Sequence, residues 1–144
     1  MSKSIKFFIK CNPPKSTAQA SARILKRKDG SQFIGKFANS KGKQVQNELM
    51  VLLKPHVPES AFNGPVQLSV VWCYPWRKSE SKKNQAAGMK YCDTRPDCDN
   101  LLKMFNDCMT RLGFWTDDSQ VAVLHFEKIW SNYPGIQVEI TELA

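Results

Sequence analysis

Acidic residues are scarce over the first 90 positions, which hold only 4 Asp and Glu against 17 Lys and Arg, a net of +13. A surface of that sign favours polyanions, because Lys and Arg displace the counterions condensed on a phosphate backbone. Long apolar runs are lacking too. None reaches the ~20 residues that a membrane-spanning helix needs. The opening Met1-Ser2-Lys3-Ser4-Ile5-Lys6-Phe7-Phe8-Ile9-Lys10 is too short and too charged for a secretion signal, so a cytoplasmic protein with no membrane partner is expected. The five cysteines (Cys11, Cys73, Cys92, Cys98, Cys108) are odd in number and show no C-x-x-C spacing. That argues against a disulfide framework or a zinc site and for free thiols in a reducing compartment. Histidine occurs only at His56 and His125, and His125, set in an apolar run, reads as a half-exposed sheet residue and not as a ligand. The chain of 144 residues, 42% hydrophobic, is read as a single domain, 1–144, with one core.

The acid missing from the first part is concentrated later, where residues 91–144 carry 9 Asp and Glu against 4 Lys and Arg, a net of −5. Two stretches hold most of the chemistry: Arg95-Pro96-Asp97-Cys98-Asp99-Asn100-Leu101-Leu102-Lys103 and Asp117-Asp118-Ser119-Gln120-Val121. Pro96 disfavours helical geometry at Arg95, and Asp97 or Asp99 can cap the helix that follows. From Leu101 the apolar residues Leu101, Leu102, Phe105, Met109 and Leu112 recur at helical spacing, and Gly113 supplies the stop. On that helix Asp99, Lys103 and Asp107 form a polar row opposite the apolar face, while Asp118 stands at the entry to the strand-like Val121–Phe126. Singly, each acid has an ordinary reading: Asp97 and Asp99 as caps, Asp117 and Asp118 as turn residues, Cys98 as a spacer. An EF-hand loop is excluded by Leu101 and Leu102, and a phosphatase-type nucleophile fits poorly because Asp97 follows Asp93-Thr94-Arg95-Pro96 and not an apolar strand. Together, four carboxylates and a lysine at the ends of regular elements in a basic chain suit magnesium-dependent phosphate chemistry. Mg²⁺ takes hard oxygen ligands and needs few carboxylates of its own.

Elsewhere the chain opens with a strand (Ile5–Ile9) and an Asn12-Pro13-Pro14-Lys15 turn that places Lys15 as a phosphate contact. Arg23–Lys28 reads either as a basic turn between strands or as a DNA-facing rim. A helix is expected over Asn39–Lys54, ended by Pro55, and a strand over Val66–Tyr74 with Val66, Leu68, Val70, Trp72 and Tyr74 on the core face. Within residues 76–92 the polar, aperiodic stretch containing Arg77, Lys78, Lys82 and Lys83 is expected to be a mobile loop that orders on DNA. The alternating Gly135–Thr141 closes the chain, paired through the Ser131-Asn132-Tyr133-Pro134 turn. Phe114 and Trp115, beside the aspartates, are the candidates for stacking on unpaired bases. Trp130, Tyr133 and the edge strands are candidate interface. The expected fold is α+β, a two-layer sandwich with a mixed β-sheet and two main helices.

The run Arg95-Pro96-Asp97-x-Asp99-Asn100-Leu101-x-Lys103, followed by Asp107, Gly113 and Asp117-Asp118-x-Gln120-Val121, resembles the RusA family of Holliday junction resolvases. These are small homodimeric DNA endonucleases often found in phages and prophages. The likeness is strong over about residues 91–124 and loose elsewhere. It implies that Asp97, Asp99 and Asp118 hold Mg²⁺, with Mn²⁺ as a substitute and Asp117 as a second candidate, and that Lys103 contacts the phosphate. It also implies a homodimer acting on branched DNA, making paired nicks in four-way junctions during recombination and repair. By charge and placement Lys15, Arg77, Lys78, Lys82, Lys83 and Arg95 are the candidate DNA contacts. Three other readings stand beside this one. A non-catalytic DNA-binding protein would leave four aspartates repelling phosphate, an enzyme on a nucleotide or sugar phosphate would not account for the basic residues, and a metal-dependent nuclease could prefer another substrate.

Overall fold

Val66, Leu68, Val70, Trp72 and Tyr74 alternate in sequence, and all five are buried on one face of a single strand. That strand is the centre of the structure, a computed structural model that describes residues 3–16, 20–38 and 40–144. In chain order the elements are β1 (Ser4–Lys10), β2 (Ala20–Lys26), β3 (Gln32–Ala38), α1 (Ser40–Leu53), β4 (Val66–Pro75), α2 (Lys82–Ala86), β5 (Met89–Tyr91), α3 (Cys98–Leu112), β6 (Val121–Ser131) and β7 (Gly135–Glu142). Short 3₁₀ turns occupy Lys54–His56 and Asp118–Gln120. The main sheet runs β1-β7-β4-β6-β5, with β4 and β6 parallel and the other neighbours antiparallel.

A parallel pair needs a crossover, and α3 supplies it between β4 and β6. The helix therefore runs back against both strands, with its N-terminus at their carboxyl ends. Its apolar residues Leu101, Met104, Phe105, Cys108 and Met109 meet Leu49 and Leu53 of α1, the inner face of β4, and Ile136, Val138 and Ile140 of β7. Trp72 and Phe105 pack edge to face at 5.9 Å and 87°, worth about 1 kcal/mol beyond the area they bury. Gly113 ends α3 in the left-handed conformation at φ 90°, as the sequence leads one to expect. The helices and mixed sheet are the α+β arrangement expected.

Three expectations change. The β6 and β7 strands, read as partners across the Ser131–Pro134 turn, do not pair with each other; each pairs with β4, one on either side. A strand as apolar as β4 is best covered with a neighbour on both edges. The polar stretch in 76–92 carries α2 and β5 rather than an irregular loop, organised around Glu80, which is buried. The Arg23–Lys28 segment, in keeping with the reading of a basic turn between strands, is the end of β2 and the start of a hairpin turn, with Gly30 at φ 89° and β2 pairing only with β3 among the described residues. Trp130 is buried beside Tyr74, at ring centroids 5.8 Å apart, whereas Tyr133 is exposed. Asn39, expected to open α1, lies outside the described residues.

Candidate metal and nucleic-acid site

The carboxyl ends of β4 and β6 and the N-terminus of α3 converge at one end of the sheet, the place where open sheets with parallel strands bind ligands. Asp97 is the residue that starts α3, with extended backbone at φ −76° and ψ 159°, yet its side chain makes no capping hydrogen bond. Its carbonyl instead accepts the Leu101 amide at 3.2 Å. Asp99 lies in the first turn, where the helix dipole favours negative charge. Both carboxylates are exposed, and two exposed carboxylates with room for water suit Mg²⁺. Cys98 between them is partly buried. Burial foremost, with the Asp97 and Asp99 charges and against the pull of Lys128, pushes its thiol up.

Cations stand beside this acid pair. A cleft of about 410 Å³ is lined by Lys15, Ser16, Arg95, Pro96, Asp97 and Asn100. Lys15 reaches it because the Tyr74 hydroxyl, at the end of β4, donates to the Pro14 carbonyl at 2.9 Å. Burial pushes the Tyr74 phenol up to about 12, so it stays a donor. Lys103 is exposed one turn beyond Asp99 and forms no ion pair among the described residues. Asp107, its other neighbour in the row, is engaged by Arg111 at 3.3 Å and by the Gln46 side chain of α1. At the same end of the sheet Glu80 receives Arg77 at 3.2 Å, Lys90 at 3.1 Å and the Asn84 amide. The Asn84 hydrogen bond first, and then the Lys90 one, hold its carboxyl at about 2. Arg77 also lies 5.2 Å from the Trp130 ring centre. Lys78, Lys82 and Lys83 are exposed beside this cluster.

Asp117 and Asp118 lie at the other end of the sheet. Asp117 accepts bonds from the Ser119 amide at 3.4 Å and from the Ser119 hydroxyl, which lowers its pKa. Gln120 completes a capping box: its Oε1 accepts from the Asp117 amide at 3.3 Å and also from the Thr116 amide at 3.0 Å, and its Nε2 donates to the carbonyls of Phe62 at 3.0 Å and Gly64 at 2.9 Å. Asp117 thus serves the turn, while Asp118 is exposed and takes no part in the box.

Val121, just after this turn, pairs with Val66, whereas Lys128, which touches the Thr94–Pro96 segment, pairs with Trp72. The 15 residues of α3 span roughly 22 Å, and they separate Asp118 from Asp97 and Asp99. No three His, Cys, Asp or Glu side chains gather to hold a metal ion among the described residues. The expected trio is therefore not assembled inside one chain, because the crossover helix runs its full length between its members. Phe114 and Trp115 are wholly buried, with Trp115 Nε1 bonded to Thr110 Oγ1 at 2.8 Å and Phe114 set against Phe7. The core claims both rings, and the base-stacking role expected of them is withdrawn. His125 pairs with Glu127 at 3.2 Å, and His56 stacks on Phe7 at 4.3 Å.

Sequence reasoning overlooked Tyr74, Glu80 and Lys128. Lys128 did leave a signal, a lone cation between Phe126 and Trp130 at a position where alternation calls for an apolar residue.

Among known proteins, the family described as endodeoxyribonuclease RusA matches residues 7–141. The uncharacterized protein YqaN of Bacillus subtilis (strain 168) is 34% identical over 110 residues, 73% of this chain and 77% of that protein. The crossover junction endodeoxyribonuclease rusA of Lactococcus phage r1t is 34% identical over 97 residues, 66% of this chain and 70% of the phage protein.

Proposed function

This chain belongs to the RusA family of endodeoxyribonucleases, and we propose that it is a Mg²⁺- or Mn²⁺-dependent, structure-selective nuclease that cuts four-way DNA junctions as a homodimer in recombination and repair. The observation that carries this reading is the cleft where Lys15 and Arg95 flank Asp97. Carboxylates alone would repel DNA, and cations alone would only bind it. Asp97 and Asp99 hold the divalent ion, which when bound supplies charge stabilisation at the attacked phosphate. Arg95 presents a planar fork that matches phosphate oxygens, and Lys15 adds a point charge across the cleft. Lys103, exposed and without an ion pair among the described residues, offsets charge on the phosphate one turn away. Arg77, Lys78, Lys82 and Lys83 take the flanking arms of the junction. No helix among the described residues is long and apolar enough to cross a membrane.

The distance between the two acidic groups supports a site completed by a second copy. A two-fold axis crossing α3 near its middle sets the start of one helix beside the end of the other. The partner subunit's Asp118 then joins Asp97 and Asp99, and two such sites match the two-fold symmetry of a four-way junction. Mixing chains tests this. Asp97→Asn and Asp118→Asn homodimers should each fail to cut, while the mixed dimer keeps one intact site and nicks a cruciform plasmid once. A mixture as inactive as its parents would mean that Asp118 acts in its own chain, and cutting by the Asp118→Asn homodimer would mean that Asp118 is not needed. Junction binding by the parent without any Mg²⁺-dependent nick would favour the non-catalytic reading.

A further inference from the structure

The core face of β6 reads Phe126, Lys128, Trp130, in register with Val70, Trp72 and Tyr74 of β4. A lysine in such a row is out of place, and Lys128 is buried. It forms no ion pair among the described residues, in contrast to the Lys90 and Arg77 pairs with Glu80. Its Nζ donates instead to two main-chain carbonyls, those of Thr94 and of Pro96, the latter at 2.7 Å. The Lys128 carbonyl accepts the Cys92 amide at 3.0 Å. One residue therefore stitches down the segment 92–96 at three points, and Asp97 is the next residue. The Asp97 side chain makes no capping bond that would fix it otherwise.

We propose that Lys128 is a positioning residue of the metal site: its buried ammonium fixes the Thr94 and Pro96 carbonyls and so sets where Asp97 and Asp99 project. Hydrogen bonds from a charged donor are the stronger kind and hold geometry closely. Groups one layer behind metal ligands commonly change metal affinity or activity by about 10- to 100-fold when lost. The inference rests on the metal-site reading above, and its test separates the two.

Lys128→Met, Lys128→Arg and Asp97→Asn would be compared with the parent. Mn²⁺ alone would be titrated into each by electron paramagnetic resonance, and hydrogen exchange of peptides covering 92–101 would be followed without metal. Lys128→Met should bind Mn²⁺ about 10- to 100-fold more weakly, exchange faster in 92–101 and keep the parent rates in β4 and β7. Lys128→Arg, which retains a charged donor, should recover part of the affinity. If the ammonium acted only as a charge competing with the ion, its loss would tighten Mn²⁺ binding, so a tighter or unchanged affinity overturns the proposal. Faster exchange throughout the molecule, or failure of Lys128→Met to fold while Lys128→Arg binds Mn²⁺ no differently from the parent, would make Lys128 a stability residue and overturns it equally. Parent-like Mn²⁺ binding by Asp97→Asn would instead sink the metal-site reading itself.

Discussion

Both ends of α3 are acidic, and they employ their acids in opposite ways. At the N-terminal end Asp97 and Asp99 are exposed, Asp97 declines the capping bond its position offers, and Lys15 and Arg95 line the adjoining cleft. At the C-terminal end Asp117 is bonded into a capping box with Ser119 and Gln120, Gln120 is bonded in turn to Phe62 and Gly64, and Asp118 stands outside the network. An aspartate that serves a turn has its oxygens already occupied, whereas one available to a metal does not. Adjacent, chemically identical residues such as Asp117 and Asp118 can thus be told apart by their partners.

The largest expected effect breaks the N-terminal end. Asp97→Asn or Asp99→Asn should abolish nicking of a labelled four-way junction in Mg²⁺ while leaving the melting temperature unchanged and junction binding equal or tighter, since a charge repelling phosphate is gone. Persistent nicking by both variants would remove the functional contrast between the ends. Next, Asp118→Asn should lose cleavage at full stability, whereas Asp117→Ala, which removes the cap, should still cut but melt at a lower temperature than the parent. Thermal melts run beside cleavage assays would reveal a reversed pair.

Smaller effects sharpen the electrostatic side of the contrast. Lys15→Ala and Arg95→Ala should each weaken junction binding and lower the salt slope of the affinity by about 1. Lys103→Ala should reduce turnover with little change in binding or melting, and turnover equal to the parent's would return Lys103 to the solvated helix surface. The smallest effect concerns Glu80, at the same end of the sheet as Asp97. Its folded carboxyl sits at about 2, below its ordinary 4.5, so its contribution is complete above the ordinary value and is lost as pH falls from there through the folded one. Parent and Glu80→Gln melting temperatures should differ at neutral pH and converge across that acidic window. A gap that stays constant on acidification would show that the Glu80 charge does not order the basic segment.

What the sequence determined by itself is what acts over a few residues. Pro96 set the start of α3 and Gly113 its end, alternation picked out the buried face of β4, and the spacing of Asp97, Asp99 and Lys103 placed them together at one helix start. Each is a rule of backbone geometry or periodicity that needs no distant partner. The tertiary structure decided the rest. Tyr74 brings Pro14, and with it Lys15, to the acid pair across 60 residues of sequence, and Glu80 gathers a polar segment that has no period of its own. Phe114 and Trp115 look, in one dimension, like companions of the aspartates, but an aromatic side chain is drawn to whatever core lies within reach. Above all, Asp118 follows Asp97 by only 21 positions yet lies a helix length away, because the apolar strand β4 takes β6 as a parallel neighbour and a parallel neighbour can be reached only by a crossover. Strand order is fixed by which apolar surfaces find cover, and no local spacing encodes that.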